Sequence, residues 1–469
     1  MTGSSALRNF FRECLLSIAH SVHLSRLRWE ALLSRRAPGV PKSRVMTTAC
    51  FSFPIYSQTF VYREIAELAR NDFEVRLVYS ELASKETPTG AALTIWPLRR
   101  KLILSDGIAA RDMRHYKQRM PGRVAELVQL IAESSGLTPT QIEEHRHFQQ
   151  AFSFTRAAEC WKAEYLHSYF FYERTLFALV ASHLLGIPRG VSCYADHVLN
   201  DYALKLVPVH MRTCAVAVAT SVRIKGELET IARLPLPHAI VKPNAIDVRQ
   251  FTGNRRVPMS PDRPVRIVTV CRIHPKKGLT YLVDAVWRLR DSGLQVVAQI
   301  IGEPDSDPAS ERCFRELQEQ IADHRLQTVV LLEGRKNTGE VRDYLSGADI
   351  FVSPFIELPN GDKDGIPTAL LEAMAAGCPI VTTDAGSMLE VVDHECEGLI
   401  VPQRDAEALS KAVLRLVRDR DLSDRLSRHA VARAERQFDS NNAEEIFHAQ
   451  VRAVLLSRRE YQARGMRHE

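Results

Sequence analysis

Hydrophobic and polar residues alternate most regularly in the second half of the chain. From Val265 onward, short apolar runs that suit buried strands are separated by segments whose apolar positions recur at helical spacing. The expected strands are VRIVTVCRI, LQVVAQIIGE, VVLLEG, DIFVSP, PIVTTD and GLIVP. Buried strands that alternate with helices are typical of a parallel sheet covered on both faces. The pattern therefore predicts a doubly wound α/β domain over residues 265–437.

The first half of the chain repeats this pattern less cleanly. A strand is expected over Arg44–Phe53, followed by a helix that Ser57 can cap and a further strand over Phe73–Ser80. Residues 84–160 are mostly polar and helix-like, and we expect them to be an insertion. The first half is therefore expected to form a second, Rossmann-like domain over residues 44–251.

A segment rich in Pro and Arg, residues 252–264, separates the two halves and is expected to be a linker. Open α/β sheets bind ligands outside the carboxyl ends of their strands. Two such domains on either side of a linker imply a cleft lined by those strand ends. The predicted fold class is α/β, with two Rossmann-like doubly wound domains that face each other across the cleft.

Residues 1–43 form a basic leader. Residues 1–44 hold eight Lys or Arg and two Asp or Glu, which accounts for the whole net charge of +6 of the 469-residue chain. Their apolar residues recur at helical spacing on one face: Leu7, Phe11, Leu15, Ile18, Val22, Trp29 and Leu32. This predicts an amphipathic helix that lies on an anionic membrane leaflet through residues 5–36. The alternatives are a helix packed on the body and a start codon placed too early.

Composition is typical of a soluble globular protein, with 45% hydrophobic and 25% charged residues. No apolar run approaches the roughly 18 residues that a membrane-spanning helix needs. The nine cysteines are scattered without a CxxC pair, which favours reduced thiols in a cytoplasmic protein. Because the residues after the leader carry no net charge, a nucleic-acid partner is not indicated. We expect a cytoplasmic protein, with peripheral contact to the inner membrane through its leader.

The first candidate site is CRIHPKKG, where the strand that begins at Val265 ends and a helix begins at Gly278. Arg272 and Lys277 are expected at the mouth of the cleft. A guanidinium and an ammonium directed at one point suit a diphosphate, as does the positive end of the following helix. The alternative is a loop with two solvated cations.

The second candidate site is KDGIPTALLEAMAAGCPIV, which follows the strand DIFVSP. Pro367 suits the first turn of a helix, so the backbone amides of that turn are free to receive phosphate oxygens. Glu372, one turn into the helix, can accept hydrogen bonds from ribose hydroxyls. Asp364 lies ahead of the helix, where its charge can stabilise an anomeric carbon that becomes positive. The donor-binding stretch expected here comprises Gly365, Ile366, Pro367, Thr368 and Glu372.

These motifs resemble retaining GT-B glycosyltransferases of glycosyltransferase family four, the lineage of glycogen synthase and phosphatidylinositol mannosyltransferases. DGIPTALLEAMAAGCPIVTTD resembles the acid-x7-acid signature of that family, RIHPKKG its phosphate site and GLIVPQRDAEALSKAV its usual downstream segment. FSFPIYSQTFVYREI is similar to the FPxxSETFI pattern of exopolysaccharide transferases of the colanic-acid type. The resemblance is strong over Val265–Arg420, patchy over Arg44–Phe251 and absent from the leader.

The resemblance implies roles for individual residues. It implies that Arg272 and Lys277 bind the donor diphosphate, that Glu372 binds the ribose and that Asp364 lies near the sugar ring. The first acid of the family is usually Glu, so Asp364 is a shorter variant. The resemblance also implies that residues 438–469 form a helix that crosses back onto the N-terminal domain.

On the acceptor side, Ser57 and Gln58 occupy the SETFI pattern, with Gln58 in place of its Glu. The family commonly has a His in a stretch like FTxHAxD, near the transferred sugar. Aligning IPRGVSCYADHVLN places Tyr194 at that His and His197 at the Asp. We expect Tyr194 to donate a hydrogen bond to a sugar hydroxyl, or a register shift to bring His197 into the site. His167 is expected either to face the acceptor or to be a satisfied core histidine.

The expected function is transfer of a hexose-type sugar from a nucleotide-diphosphate donor to a glycan or lipid-linked acceptor. No cofactor or metal is expected, because two cations and a helix terminus already cover the diphosphate. The stretch Asp393–Cys396 holds a lone His and Cys, which by themselves make no metal site. The rival hypotheses are a catalytically weak or silent GT-B subunit that binds donor or scaffolds a synthesis complex, and another GT-B enzyme such as an epimerase or a phosphorylase.

Overall fold

The computed structural model describes residues 3–34, 42–48, 52–53, 59–70, 73–82, 91–171, 174–194, 204–251, 259–260, 262–305 and 307–465. These residues form two α/β domains, each with a parallel sheet. The expected class of fold is therefore confirmed.

The N-terminal sheet has seven strands in the order β5-β3-β1-β6-β7-β8-β9, with β2 and β4 paired separately. The strands are β1 Ser43–Thr48, β2 Ser52–Phe53, β3 Phe73–Tyr79, β4 Glu81–Leu82, β5 Arg99–Lys101, β6 Tyr165–Tyr169, β7 Arg189–Cys193, β8 Val216–Ala219 and β9 Ala239–Val241. β6, β7 and β8 are buried at every position, as expected for strands covered by helices on both faces.

Helices cover this sheet on both sides. They are α1 Gly3–Ser34, α2 Thr59–Arg70, α3 Ala91–Ile95, α4 Asp106–Arg119, α5 Pro121–Ser135, α6 Pro139–Glu144, α7 Arg146–Trp161, α8 Thr175–Leu185, α9 Val207–Thr213 and α10 Val222–Ala232. The strand expected over residues 44–53 is divided into β1 and β2, and residues 49–51 lie outside the described ranges.

The described part of the 84–160 segment lies between β3 and β6, is largely helical and packs into the core of the N-terminal domain. It contributes the edge strand β5, which pairs with β3. It also supplies large buried side chains to the core, among them Tyr116, Phe148, Phe152 and Phe154. Most of the polar residues that suggested an insertion occupy the outer faces of α4–α7, whose inner faces are mainly apolar.

The leader helix α1 packs on the N-terminal domain. His20 Nε2 lies 2.9 Å from Asp112 on α4, and Leu27 and Ala31 are buried. Arg76 on β3 donates to the carbonyl of Glu30 over 2.9 Å. The face that packs is not the predicted apolar face. That face remains exposed, at Leu15 66%, Ile18 62%, Val22 62%, Trp29 59% and Leu32 51%.

The C-terminal sheet has six parallel strands in the order β12-β11-β10-β13-β14-β15. The strands are β10 Val265–Val270, β11 Val296–Ile301, β12 Val330–Gly334, β13 Ile350–Ser353, β14 Ile380–Thr383 and β15 Gly398–Val401. The helices are α11 Leu279–Asp291, α12 Pro308–Asp323, α13 Thr338–Gly347, α14 Thr368–Ala375, α15 Ala406–Arg418 and α16 Arg420–Gln437. Every strand expected from the alternation is present, because these short apolar runs are buried between two helical layers.

The last helix, α17 (Ser440–Gly465), lies on the N-terminal domain, where Phe447, Val451 and Leu455 join its core. The chain therefore crosses twice between the domains. The two crossings run side by side, since the Ile246 amide donates to the Phe438 carbonyl over 2.9 Å and the Ser440 amide donates to the Ile246 carbonyl over 2.8 Å. Among the described helices, none combines the length and apolarity that crossing a bilayer requires.

Candidate active site

The carboxyl ends of β10 and β13 bring Lys277 and Asp364 into direct contact. The Lys277 ammonium donates to Asp364 Oδ2, and Lys276 lies 3.6 Å from the other oxygen. Lys276 also donates to Asp362 over 2.9 Å. Burial by itself raises the pKa of Asp364, but Lys277, Lys276 and Arg272 outweigh it, so this pKa lies below its ordinary value. Asp364 is therefore a carboxylate at neutral pH.

A glycine turn makes this contact possible. Lys277 ends a short 3-10 helix, and Gly278 follows with φ of 59°. A Cβ at Gly278 would lie 2.0 Å from the Pro354 carbonyl oxygen, so only glycine allows the turn after β10 to pack against the loop after β13. The Lys277 ammonium then lies 4.1 Å from the centroid of the Phe355 ring. The turn and this ring fix the direction of the ammonium group.

Arg272 lies at the same mouth of the sheet but has a different partner. Its guanidinium forms an ion pair with Asp305, which follows β11. Both side chains are about two-fifths exposed, at 40% and 42%. An exposed pair of this kind is weak and is readily exchanged for another anion. Arg272 can therefore turn toward a ligand that lies between it and Lys277.

Helix α14 presents an uncapped N-terminus to the cleft. Pro367 is the residue before the helix, one position earlier than expected, with extended backbone and no side-chain cap on the helix. Gly365 and Ile366 lie at the domain boundary. A Cβ on Gly365 would be 3.2 Å from the Tyr194 carbonyl, and Asn244 donates to the Ile366 carbonyl over 2.6 Å. The Leu370 and Leu371 amides donate to the Pro367 carbonyl, so the amides of Thr368 and Ala369 are the ones without an acceptor in the helix.

Glu372 differs from Asp364 in its electrostatic environment. It lies one turn into α14 and is partly exposed. Burial of its carboxyl group raises the pKa to about 7, and Arg63 on α2 opposes this rise only in part. Arg63 belongs to the other domain, and its Nη1 is buried without a hydrogen-bond partner. A basic group of the N-terminal domain is therefore near enough to Glu372 to favour its ionised form.

Tyr194 and His167 point into the N-terminal domain rather than the cleft. The Tyr194 hydroxyl donates to Glu64 over 2.5 Å, and the whole residue is buried. His167 is fully buried and lies 2.8 Å from the Ser192 hydroxyl, and burial lowers its pKa to about 4. The geometry favours the core alternative for His167. It gives Tyr194 a carboxylate partner, not a sugar hydroxyl.

The partner of Tyr194 belongs to a buried charge cluster that sequence reasoning missed. Lys242, after β9, lies 2.7 Å from Glu64 on α2 and 2.9 Å from Glu444 on α17. We refer to Glu64, Lys242 and Glu444 as the buried triad. Burial by itself raises the pKa of Glu64, but Lys242 outweighs it and this pKa is lowered. No spacing in the sequence connects residues 64, 242 and 444, so no local signal could have revealed the triad.

Three predicted site residues, the acceptor-side Ser57 and Gln58 and the catalytic candidate His197, lie outside the described ranges. The described site therefore consists of the Lys277–Asp364 pair, Arg272, the start of α14 and Glu372. This arrangement can bind an anion between cations and helix amides, and hydroxyl groups at a carboxylate. Its second carboxylate, that of Asp364, can stabilise a positive charge that develops beside it.

The comparison with known families agrees with this chemistry. Residues 251–433 match the family described as Glycosyl transferases group 1. This matched part of the chain contains all the described site residues of the C-terminal domain. The resemblance predicted from the motifs is confirmed at this level.

Curated relatives match parts of the chain. An amylovoran biosynthesis glycosyltransferase of Erwinia amylovora, AmsK, is 38% identical over 154 residues, which are 33% of this chain and 36% of AmsK. WcaL of Escherichia coli, named for colanic acid biosynthesis, is 30% identical over 233 residues, which are 50% of this chain and 55% of WcaL. The chain thus covers less than two thirds of the length of these relatives.

Solved structures share the fold of both domains. The Anabaena protein HepE, solved in complex with UDP, has a TM-score of 0.63 at 16% identity and covers 88% of this chain and 100% of its own. Sucrose-phosphate synthase of Thermosynechococcus elongatus has a TM-score of 0.66 at 15% identity, with coverage of 89% and 100%. At this identity the likeness concerns the fold, and it confirms the expected GT-B arrangement.

Proposed function

We propose that this protein is a retaining glycosyltransferase that moves a hexose-type sugar from a nucleotide-diphosphate donor to a hydroxyl of a glycan or lipid-linked acceptor. The observation that carries the proposal is the contact of Lys277 with Asp364 beside the uncapped start of α14, within a glycosyltransferase group 1 domain. The names of AmsK and WcaL support cell-surface polysaccharide synthesis as the setting.

In the proposed reaction, the bond between the anomeric carbon and the diphosphate oxygen breaks. The acceptor hydroxyl oxygen bonds to that carbon on the same face, and its proton passes to the leaving diphosphate oxygen. Lys277, Arg272 and the first amides of α14 stabilise the negative charge of the diphosphate. Asp364 stabilises the positive charge on the anomeric carbon. Because an ammonium group has three donors, Lys277 can hold Asp364 and phosphate oxygens together.

This set of groups supplies the positive charge that a metal ion would otherwise provide, so we propose that transfer is metal-independent. Glu372 accepts hydrogen bonds from the ribose hydroxyls in its ionised form. The donor panel for testing begins with UDP-sugars, because the HepE structure holds UDP.

The first test is thermal stabilisation by a panel of nucleotide sugars. A ligand at about 100 times its dissociation constant adds about 2.7 kcal/mol of stability. We expect one donor to stabilise the wild type and the exposed-lysine control Lys411→Ala, and to have little effect on Lys277→Ala and Glu372→Ala. If no nucleotide sugar shifts the folded wild type, the donor site is refuted.

A second candidate function is supported by one observation. The Tyr194 hydroxyl is bonded to Glu64, so the residue aligned with the family's His does not present that group to the cleft. A silent subunit that binds donor without transferring sugar fits this arrangement. Product formation from the stabilising donor and membrane-extracted acceptors separates the two, since only the transferase yields a glycosylated product and free nucleotide diphosphate.

We also propose that α1 contacts an anionic membrane surface. The exposed stripe Leu15, Ile18, Val22, Trp29 and Leu32 lies on the helix face opposite the body, and Arg26 and Arg28 are exposed beside it. Apolar residues flanked by cations suit the interface of an anionic leaflet. Attachment there would bring the cleft within reach of a lipid-linked acceptor.

Cosedimentation with vesicles tests this contact. We expect wild type to pellet with phosphatidylglycerol-containing vesicles and not with neutral ones, and Ile18→Ser with Val22→Ser to abolish pelleting. The matched control is Leu456→Ser, which removes an apolar residue that is 58% exposed on α17. Equal pelleting of both variants, or none by wild type, contradicts the membrane contact. Dimerisation of wild type that Val22→Ser abolishes would assign the stripe to a second copy of the chain.

A further inference from the structure

A contact between the domains occurs at the start of α10. The Glu390 carboxylate, from the C-terminal domain, accepts hydrogen bonds from the Val222 and Arg223 amides over 2.6 and 3.0 Å. The first amides of a helix have no acceptor in the helix and lie at its positive end. The carboxylate therefore completes α10 only while the two domains are together. Ser387 and Ser221 add a hydroxyl contact of 3.0 Å across the same boundary.

Arg223 extends this contact to the proposed active site. Its guanidinium donates to Glu227 on its own helix over 2.7 Å, to the Ser387 hydroxyl over 3.0 Å and to the backbone carbonyl of Asp364 over 3.2 Å. The side chain is only 20% exposed, so these bonds are partly shielded from water. Glu227 fixes the direction of the guanidinium from within the N-terminal domain.

The Asp364 peptide is thus held from both domains. Within the C-terminal domain, the Ser387 amide donates to the same carbonyl over 3.3 Å. Gly386 has a φ of 60°, and a Cβ at this position would lie 2.2 Å from the backbone carbonyl oxygen of Asp364. Only glycine therefore allows the two loops to approach so closely. Arg223 adds a charge-assisted bond that only the N-terminal domain can supply.

We propose that Arg223 is a positioning residue that couples closure of the two domains to the placement of Asp364. This inference rests on the proposed function, in which the Asp364 carboxylate faces the sugar. When the domains separate, Asp364 keeps the Ser387 bond and loses the Arg223 bond. Donor binding by Lys277 and Glu372 is then retained, while the carboxylate loses the fixed position that transfer requires.

The test compares Arg223→Gln with wild type and with Lys225→Gln, which removes a positive charge two positions along the same helix. We expect Arg223→Gln to lower kcat about 10- to 100-fold, with the affinity for the nucleotide diphosphate changed less than about twofold. Arg223→Lys should restore part of kcat, since it retains the charge but cannot make all three bonds.

Hydrogen exchange gives a second readout that does not depend on turnover. In the Arg223→Gln variant, the peptide that contains the Ser387 amide should exchange several-fold faster than in the wild type and in Lys225→Gln. Unchanged exchange overturns the proposal, and so does an unchanged kcat. A wild type without turnover counts against the proposed function alone, because the exchange result still decides whether Arg223 holds the loop.

Discussion

At the scale of single residues, the two acids of the proposed donor site, Asp364 and Glu372, differ in pKa. Asp364 touches two lysines, so its pKa is lowered although burial alone raises it. Burial raises the pKa of Glu372 to about 7, and the charge of Arg63 opposes this rise only in part. In the proposed donor complex, ribose hydroxyls bond to the Glu372 carboxylate, so donor binding is expected to favour its ionised form.

The raised pKa of Glu372 makes the affinity for the donor depend on pH. Since binding stabilises the carboxylate, the bound pKa is lower than the free value of about 7, and the affinity rises with pH up to that free value. Below it, the affinity falls by up to about tenfold per pH unit. Titration calorimetry between about pH 6 and pH 8 should show this trend, with proton release on binding. Glu372→Gln should bind the donor more weakly, and its affinity should not vary with pH. A wild-type affinity that does not change with pH contradicts the assignment of Glu372 to donor binding.

Asp364 and Lys277 should respond differently to substitution. Asp364→Asn removes the charge near the sugar but leaves the Lys277 ammonium available to the diphosphate. We expect it to bind the nucleotide diphosphate at least as tightly as wild type and to lose about 100-fold or more in kcat. Lys277→Ala should lose affinity for the nucleotide diphosphate. Weaker nucleotide binding by Asp364→Asn would show that its carboxylate organises the phosphate site instead.

At the scale of elements, the buried triad attaches α17 to α2 and to the end of β9. Two carboxylates share the one ammonium group of Lys242, so one acid remains without its own cation. Burial raises the pKa of Glu444 to about 7, and Lys242 only partly offsets this. A buried ion cluster contributes little net stability, but removing one member leaves uncompensated charge.

The triad predicts how stability varies with pH. The folded pKa of Glu444, about 7, exceeds its ordinary value of 4.5, so the folded state binds more protons and stability falls as pH rises between these values. Glu444→Gln should remove this fall, which thermal unfolding at intervals across the range measures. An unchanged pH profile in Glu444→Gln would refute the assignment of this pH dependence to Glu444.

Lys242→Met should destabilise the N-terminal domain by about 3–5 kcal/mol, because it removes the cation of the buried triad.

At the scale of the whole molecule, the two interdomain crossings pair at Ile246 and Asp439. Because the paired crossings carry the covalent connections between the domains, we expect domain motion to pivot near them, while the contact of α10 with Glu390 is formed only across the domain boundary. Closure therefore changes the environment of Val222 and Arg223 and leaves the paired crossings intact.

Hydrogen exchange with and without donor should reveal this pivot. We expect the Ile246 and Ser440 amides to exchange slowly in both states, because their bonds persist through the motion. The Val222 and Arg223 amides should gain protection when donor is added. Rapid exchange at Ile246, or equal protection at Val222 with and without donor, contradicts a pivot at the crossings.

The alternation of apolar runs was sufficient to predict each strand of the C-terminal sheet, because strands buried on both faces show their burial directly in the sequence. The same method did not reveal that residues 84–160 contribute to the N-terminal core, because α4–α7 have polar outer faces and the three-residue strand β5 is too short to show a pattern. It also identified the exposed stripe of α1 as apolar without revealing that the opposite face packs on the body.

The sequence by itself determined the two domains and the local motifs that carry Arg272, Lys277, Asp364 and Glu372. A motif is a local feature, so the residues of one turn or helix start can be identified together. Only the tertiary structure decided which groups meet across the chain: Lys277 with Asp364, Tyr194 with Glu64, and Arg223 with the Asp364 carbonyl. Such contacts join segments that are far apart in sequence. They form because polar groups that the fold buries need hydrogen-bond partners, and the fold decides which groups are near enough to serve.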